Sequence, residues 1–253
     1  KSIETAPGVR IDTSLFLPER TPAPAILLAH GFGSSKSAVK ESAQYYRDNG
    51  YVVLTWTARG FGKSTGQISM NAAQGEIADI QELISYLATR KEVKKESGSD
   101  PIVGIVGASY GGAAALLTAA ADKRVDAAIA DITWNNLNQA LFPQSSNDLV
   151  EPGPFKKVWT GTFLSLATLQ NPALGECGTL VEQWCSAYKN SVFNGRPFSQ
   201  EIALLNSVSP SSVLSQISAP TLISHGQSDS LFPLSESLKT FSALSKGDND
   251  LPH

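Results

Sequence analysis

The sequence predicts an α/β fold, a mostly parallel sheet with helices on both faces. Two observations lead there. Short continuous apolar runs, as in strands buried on both faces, recur along the chain, and segments of helical period separate them. Residues 9–18, VRIDTSLFLP, alternate in part, with Ile11, Leu15 and Leu17 apolar, and read as a strand. APAILLAHG at 23–31 is a buried strand. Residues 35–49 read as a helix closed by Gly50, and YVVLTW at 51–56 is the next strand. Ile77, Ile80, Leu83, Ile84 and Leu87 recur three and four apart, which predicts an amphipathic helix over 72–90. PIVGIVGAS at 101–109 is a strand, followed by a small-residue helix, YGGAAALLTAAAD. Strands are predicted again at 125–133 and 220–226, and a helix at 234–244. The strand–helix alternation favours parallel pairing.

Residues 134–205 break this rhythm. They carry Trp134, Phe142, Phe155, Trp159, Phe163, Trp184 and Phe193 among turn-rich pieces. The expected organisation is a core formed by 1–133 and 206–253, with 134–205 inserted as a cap at the strand ends, or as a subdomain with its own small core.

Composition narrows the function. The chain has 253 residues, 42% hydrophobic and 17% charged, which suits one large domain with a sizeable core. A net charge of -3 gives no basic face, so nucleic acid is not an expected partner. The longest apolar run, AAALLTAAA at 113–121, is too short to span a membrane. The chain opens at Lys1 without Met, so a processed product is expected. The two cysteines, Cys177 and Cys185, lie close together, as in a local disulfide of a secreted or cell-envelope protein; buried free thiols in a cytoplasmic protein are the alternative. Their spacing is not that of a metal site, and no metal or cofactor is expected.

TARGFGKSTG at 57–66 ends like a nucleotide-binding loop, with Gly62-Lys63-Ser64 after a strand. Such a loop needs a glycine where Thr57 stands, and must run directly into a helix. TGQISM follows instead. The expectation is a tight structural turn that binds no nucleotide.

The strongest motif is GASYGG at 107–112. It fits G-x-S-x-G and lies between a predicted strand and a predicted helix. Such a turn projects the Ser109 hydroxyl above the sheet, and glycine at 107 and 111 avoids backbone clashes. Ser109 is the candidate nucleophile. The backbone N–H groups of Tyr110 and of Phe32, in AHGFGSS after an earlier strand, are the candidate oxyanion donors. His30, in the same loop, is expected to order it by hydrogen bonding. Asp229, in the loop after the strand at 220–226, is the candidate acid on the chain order Ser…Asp…His, with Asp131 as the alternative.

Together AHGFG, TARGFGKSTG, GASYGG and SPSSVLSQISAPTLISHGQSDSLFP resemble the α/β-hydrolases of the X-Pro dipeptidyl-peptidase and cocaine-esterase-like group, over nearly the whole chain outside the insertion. The resemblance implies a serine acyl hydrolase acting on a small ester or peptide, with 59–66 as a structural loop of that branch. Relatives often carry Asp two residues before the arginine; Thr57 stands there, so Arg59 is expected to find other support. In this group a tyrosine side chain can serve the oxyanion hole, whereas His-Gly-Phe-Gly suggests a backbone donor.

The resemblance also predicts a last strand and a histidine-bearing turn after the helix ending near Leu244, and SKGDNDLPH has neither. The base is expected beyond residue 253, with His253 as the alternative, and residues 1–253 alone are expected to be a poor catalyst. A non-catalytic binding protein with an incomplete triad is the competing class. A dipeptidyl-peptidase needs a carboxylate for the substrate's amino group. The insertion offers Asp148, Glu151, Glu176, Glu182 and Glu201.

Overall fold

The computed structural model of the protein describes residues 1–143 and 153–246. The chain runs β1 (Ser2–Ala6), β2 (Val9–Phe16), β3 (Ala25–Ala29), α1 (Lys40–Asp48), β4 (Val52–Thr57), α2 (Ala78–Ala88), β5 (Lys95–Ser97), β6 (Asp100–Pro101), β7 (Val103–Ala108), α3 (Tyr110–Ala121) and β8 (Val125–Asp131). Four helices follow, α4 (Leu137–Leu141), α5 (Lys157–Gln170), α6 (Glu182–Asn194) and α7 (Ser199–Ser207), then β9 (Thr221–Ser224) and α8 (Leu234–Ser245). Seven strands form one sheet in the order β1-β2-β4-β3-β7-β8-β9, and β5 and β6 form a separate hairpin. β2 is antiparallel to both β1 and β4. Every pairing from β4 through β9 is parallel. This is the mostly parallel α/β arrangement that the alternation of apolar runs and helices anticipates. Among the described residues, β9 is an edge strand.

The central strands are apolar on both faces because both faces are covered. On β3, Ala25, Leu27 and Ala29 join the larger core cluster with Leu54 and Trp56 of β4. The alternate residues Ile26 and Leu28 meet Val53 and Ala43 of α1 on the other side. α3 has no polar face and is buried from Tyr110 through Ala120. Its alanines and glycines let it lie close against β7 and β8.

Two helices start later than their apolar pattern suggests. Residues 36–39 form a turn, held by bonds such as Ala38 N–H to Ser35 O (3.1 Å) and Lys36 N–H to Thr57 Oγ1 (3.1 Å), so α1 begins only at Lys40. The helix predicted from 72 opens with one wide turn, Ala73–Ile77, kinked at Gly75. A Cβ at Gly75 would lie 1.9 Å from Ser69 Oγ, so a larger residue would displace the hydroxyl that bonds Glu76. β1 and the β5–β6 hairpin have no counterpart in the apolar pattern, because they are short and polar.

α4 to α7 lie between β8 and β9 in the chain and are tied to the core loop at 68–69. Ile68 N–H donates to Thr179 O (2.8 Å), Val181 N–H to Ile68 O (3.0 Å), and the Trp184 indole to Ser69 O (3.1 Å). Cys177 and Cys185 are joined by a disulfide beside this tie, with Cα atoms 5.5 Å apart. Of the two readings of the cysteine pair, the bonded one holds. Among the described residues, no helix is long and apolar enough to cross a membrane.

Candidate active site

Ser109 is the single residue between β7 and α3, and its backbone has φ 55° and ψ -118°. That region is costly for a residue with a side chain. The neighbours enforce it. Ser109 N–H donates to Asp131 O (2.9 Å), and Ser109 O accepts from Thr133 Oγ1 (2.8 Å) and Ala113 N–H (3.1 Å). A Cβ at residue 107 would meet Gly111 O at 2.3 Å; one at 111 would meet His30 O at 2.9 Å; one at 112 would meet Asp131 O at 2.9 Å. The three glycines are therefore spatial requirements of the turn. Tyr110 is the first residue of α3, so its N–H has no acceptor within the helix and stands at the positive end of the helix dipole.

Ser109, Tyr110 and Phe32 line one small cavity, walled also by Trp134, Phe163 and Phe232. The Phe32 ring is fixed edge-on by Phe61 (5.0 Å), Phe163 (5.2 Å) and Tyr110 (5.3 Å). His30 braces the loop from below. Its Nδ1 meets Gly31 O at 2.7 Å and its Nε2 accepts from Ala58 N–H at 2.9 Å, so the bonds select the neutral tautomer protonated at Nδ1. Burial lowers its pKa further.

A buried carboxylate that the apolar pattern hid lies behind this turn. The wide turn at 73–77 places Glu76 where it accepts from Ser69 N–H (2.7 Å), Asn71 N–H (3.1 Å), the Ser69 hydroxyl and the Tyr110 hydroxyl (3.0 Å). Asn71 Nδ2 donates to Tyr110 O (3.0 Å). Tyr110 is thus held at both its ring and its backbone. Met70 and Asn71 both have positive φ, 59° and 64°, to bring these donors round. Burial raises the Glu76 pKa, and the hydrogen bonds oppose it. The signal available in sequence was position: Glu76 falls on the stripe of Ile80, Leu83 and Leu87, where a carboxylate needs partners.

The 57–66 loop is a brace of the same region. Arg59 Nε and Nη2 grip Asp79 of α2 at 2.6 and 2.7 Å, and Asp79 also accepts from the Thr5 hydroxyl. That is the support Arg59 finds in the absence of an acid at 57. Ser64 Oγ bonds Thr57 O (2.6 Å) and accepts from Asp12 N–H (2.9 Å), which occupies the hydroxyl a nucleotide loop would offer to a metal ion. Calorimetry with ATP and magnesium should show no heat of binding. Micromolar affinity lost in Lys63→Ala would overturn this expectation.

Asp229 sits in the turn after β9. Its Oδ1 accepts from Leu231 N–H (2.8 Å) and Phe232 N–H (2.9 Å), and its Oδ2 is 3.8 Å from His225 Nε2. The same turn contributes Phe232 to the Ser109 cavity. The alternative acid, Asp131, accepts from Ser224 Oγ at 2.6 Å. His225 is packed within this turn, with Nε2 on Phe232 O (2.6 Å) and Nδ1 on the Ser237 hydroxyl. His30 and His225 therefore have both ring nitrogens engaged. His253, Asp148 and Glu151 lie outside the described residues. Glu176 pairs with Lys189, Glu182 accepts from Ser186, and Glu201 is bound by Asn190 and Phe198 N–H. Among the described residues, no cluster of three or more His, Cys, Asp or Glu side chains could hold a metal.

Comparison with known proteins gives this geometry its context. The family described as X-Pro dipeptidyl-peptidase (S15 family) matches residues 7–251. A thiohydrolase, aneE, of Aspergillus aculeatus is 32% identical over 124 residues, 48% of this chain and 37% of that protein. An uncharacterized 31.7 kDa protein of Escherichia coli is 23% identical over 90% of this chain and 80% of its own. Among solved structures, 2,6-dihydroxy-pseudo-oxynicotine hydrolase superposes with a TM-score of 0.67 at 19% identity, covering 96% of this chain and 56% of that one. The α/β hydrolase GrgF of Penicillium reaches 0.64 at 19% identity, with coverages of 96% and 84%. The chain thus spans little more than half of the first of these structures, and the match covers just over a third of the thiohydrolase.

Proposed function

This chain belongs to the X-Pro dipeptidyl-peptidase (S15) family, and on that premise we propose that it is a serine hydrolase cleaving an ester or amide bond through an acyl-enzyme on Ser109. The observation that carries the reading is the strained Ser109 backbone at the β7–α3 junction, lining a cavity with Phe32 and Tyr110. A fold keeps such a conformation where the surroundings over-determine it, and such strain clusters at working sites.

In this reading, Ser109 Oγ attacks the substrate carbonyl while a histidine takes its proton. The negative charge on the carbonyl oxygen meets the N–H groups of Tyr110 and Phe32 and the N-terminus of α3. Asp229 orients the histidine and stabilises its positive charge. The histidine then protonates the leaving group, and water, deprotonated in turn, releases the acyl group. The base comes from outside the described residues, since His30 and His225 are committed to their loops. Residues 134–205 act as a cap over the cavity; α5 already contributes Phe163 to its wall. The competing reading, a binding protein with an incomplete triad, draws on those same two committed histidines.

The test is rapid mixing of the gene's complete product with a p-nitrophenyl ester. The expected result is a burst of nitrophenol matching the enzyme present, and an acyl adduct on the peptide bearing Ser109. Turnover without any adduct at Ser109, or no turnover at all, would refute the proposal.

A further inference from the structure

The cavity at Ser109 adjoins a larger chamber between the inserted helices and the core loops. The two share Phe32, Met70, Leu137, Leu141 and Phe163. Resting on the serine-hydrolase reading, we infer that this chamber is an acyl pocket, and that the substrate is an oxoester or thioester of an apolar acyl group several carbons long rather than a peptide with a free amino terminus.

The described lining favours the first. Its further walls are apolar or aromatic side chains such as Phe142, Phe155, Leu164 and Trp184. A chamber of this character gains from burying hydrocarbon. A substrate ammonium group would lose its water there and would need a free carboxylate. Among the described lining residues, Glu201 is the one carboxylate. Its Oε1 accepts from Asn190 Nδ2 (3.0 Å) and its Oε2 from Phe198 N–H (2.9 Å), so it closes the turn between α6 and α7. Thr160, another polar lining residue, turns its hydroxyl back to the carbonyls of Lys156 and Lys157.

The order of the chemistry assigns the chamber to the acyl side. The leaving group must depart before water attacks, so it needs the route to solvent. The acyl group stays bound to Ser109 through both steps and suits the space beneath the inserted helices. In the first step the bond from Ser109 Oγ to the carbonyl carbon forms, and the alcohol or thiol leaves with the serine's proton. In the second, water's oxygen bonds that carbon, Ser109 regains a proton, and the carboxylic acid is released.

The test compares kcat/KM of the complete gene product on p-nitrophenyl octanoate, p-nitrophenyl acetate and Gly-Pro-p-nitroanilide. Octanoate should exceed acetate by about 30-fold or more, given the gain per buried methylene, and the dipeptide should be the poorest. Ala187→Trp, which fills the chamber from α6, should lower the octanoate-to-acetate ratio at least about fivefold. Independently, Ser109→Ala should still bind octanoic acid by calorimetry. Binding without any ester turnover by the unaltered protein would sink the serine-hydrolase reading and leave the acyl pocket standing. Turnover that favours acetate or the dipeptide, or absence of octanoic acid binding, would overturn the acyl pocket alone.

Discussion

Ser109→Ala should lower kcat on an activated ester by about 10⁴- to 10⁶-fold, the range seen when a serine nucleophile is removed from an assembled triad. The melting temperature should stay within about 2 °C of the parent, because surface-sized changes that leave packing intact cost little. The bonds that hold residue 109 in place all use its backbone: N–H to Asp131, and O to Thr133 and Ala113. Alanine keeps them and carries no greater steric burden at φ 55° than serine does. A drop in activity accompanied by unfolding would point to a structural part for this side chain, and retained activity would remove it from the chemistry.

Glu76→Ala should have the largest effect on stability. Its carboxylate receives four donors, from Ser69 twice, from Asn71 and from Tyr110, and the side chain is buried. Removing it strands all four donors in the buried interior. Leaving buried partners uncompensated costs about 3–5 kcal/mol. For a chain of this size that is a fall in melting temperature of about 6–20 °C. The loss should reach the chemistry as well, because Glu76 and Asn71 hold the ring and carbonyl of Tyr110, whose N–H faces the cavity mouth in the proposed mechanism. Glu76→Gln keeps the volume but turns an NH₂ toward donors. It should retain the fold and show a lower kcat with little change in KM. Thermal melts and ester kinetics on both variants check this, and wild-type behaviour in both would contradict it.

The parts of this architecture that sequence could show are those governed by local rules. The buried strands were visible because β3 and β4 are apolar on both faces. The turn at Ser109 was visible because only glycine fits at 107 and 111, and that spacing survives in the linear text. The turn after β9 that carries Asp229 was visible through the chain order, while the acid role of Asp229 belongs to the proposed mechanism. Glu76 was not, because its partners come from a kinked turn and from a helix 34 residues further on, and a lone carboxylate in an apolar stripe does not name them. The helices between β8 and β9 were illegible for another reason. α5 leaves Val158 and Leu169 exposed while burying Ala167, so hydrophobic period does not mark its buried face. Thr57 leaves Arg59 without the acid that relatives carry nearby, and Asp79 supplies the support from α2, across 20 residues of chain.

The most direct measurement of the central claim is the site of covalent labelling by a fluorophosphonate, which reacts with activated serines. The complete gene product should take up one equivalent, peptide mapping should place it on Ser109, and Ser109→Ala should take up none. Label on another serine, with ester turnover intact in Ser109→Ala, would contradict the assignment of Ser109 as the nucleophile.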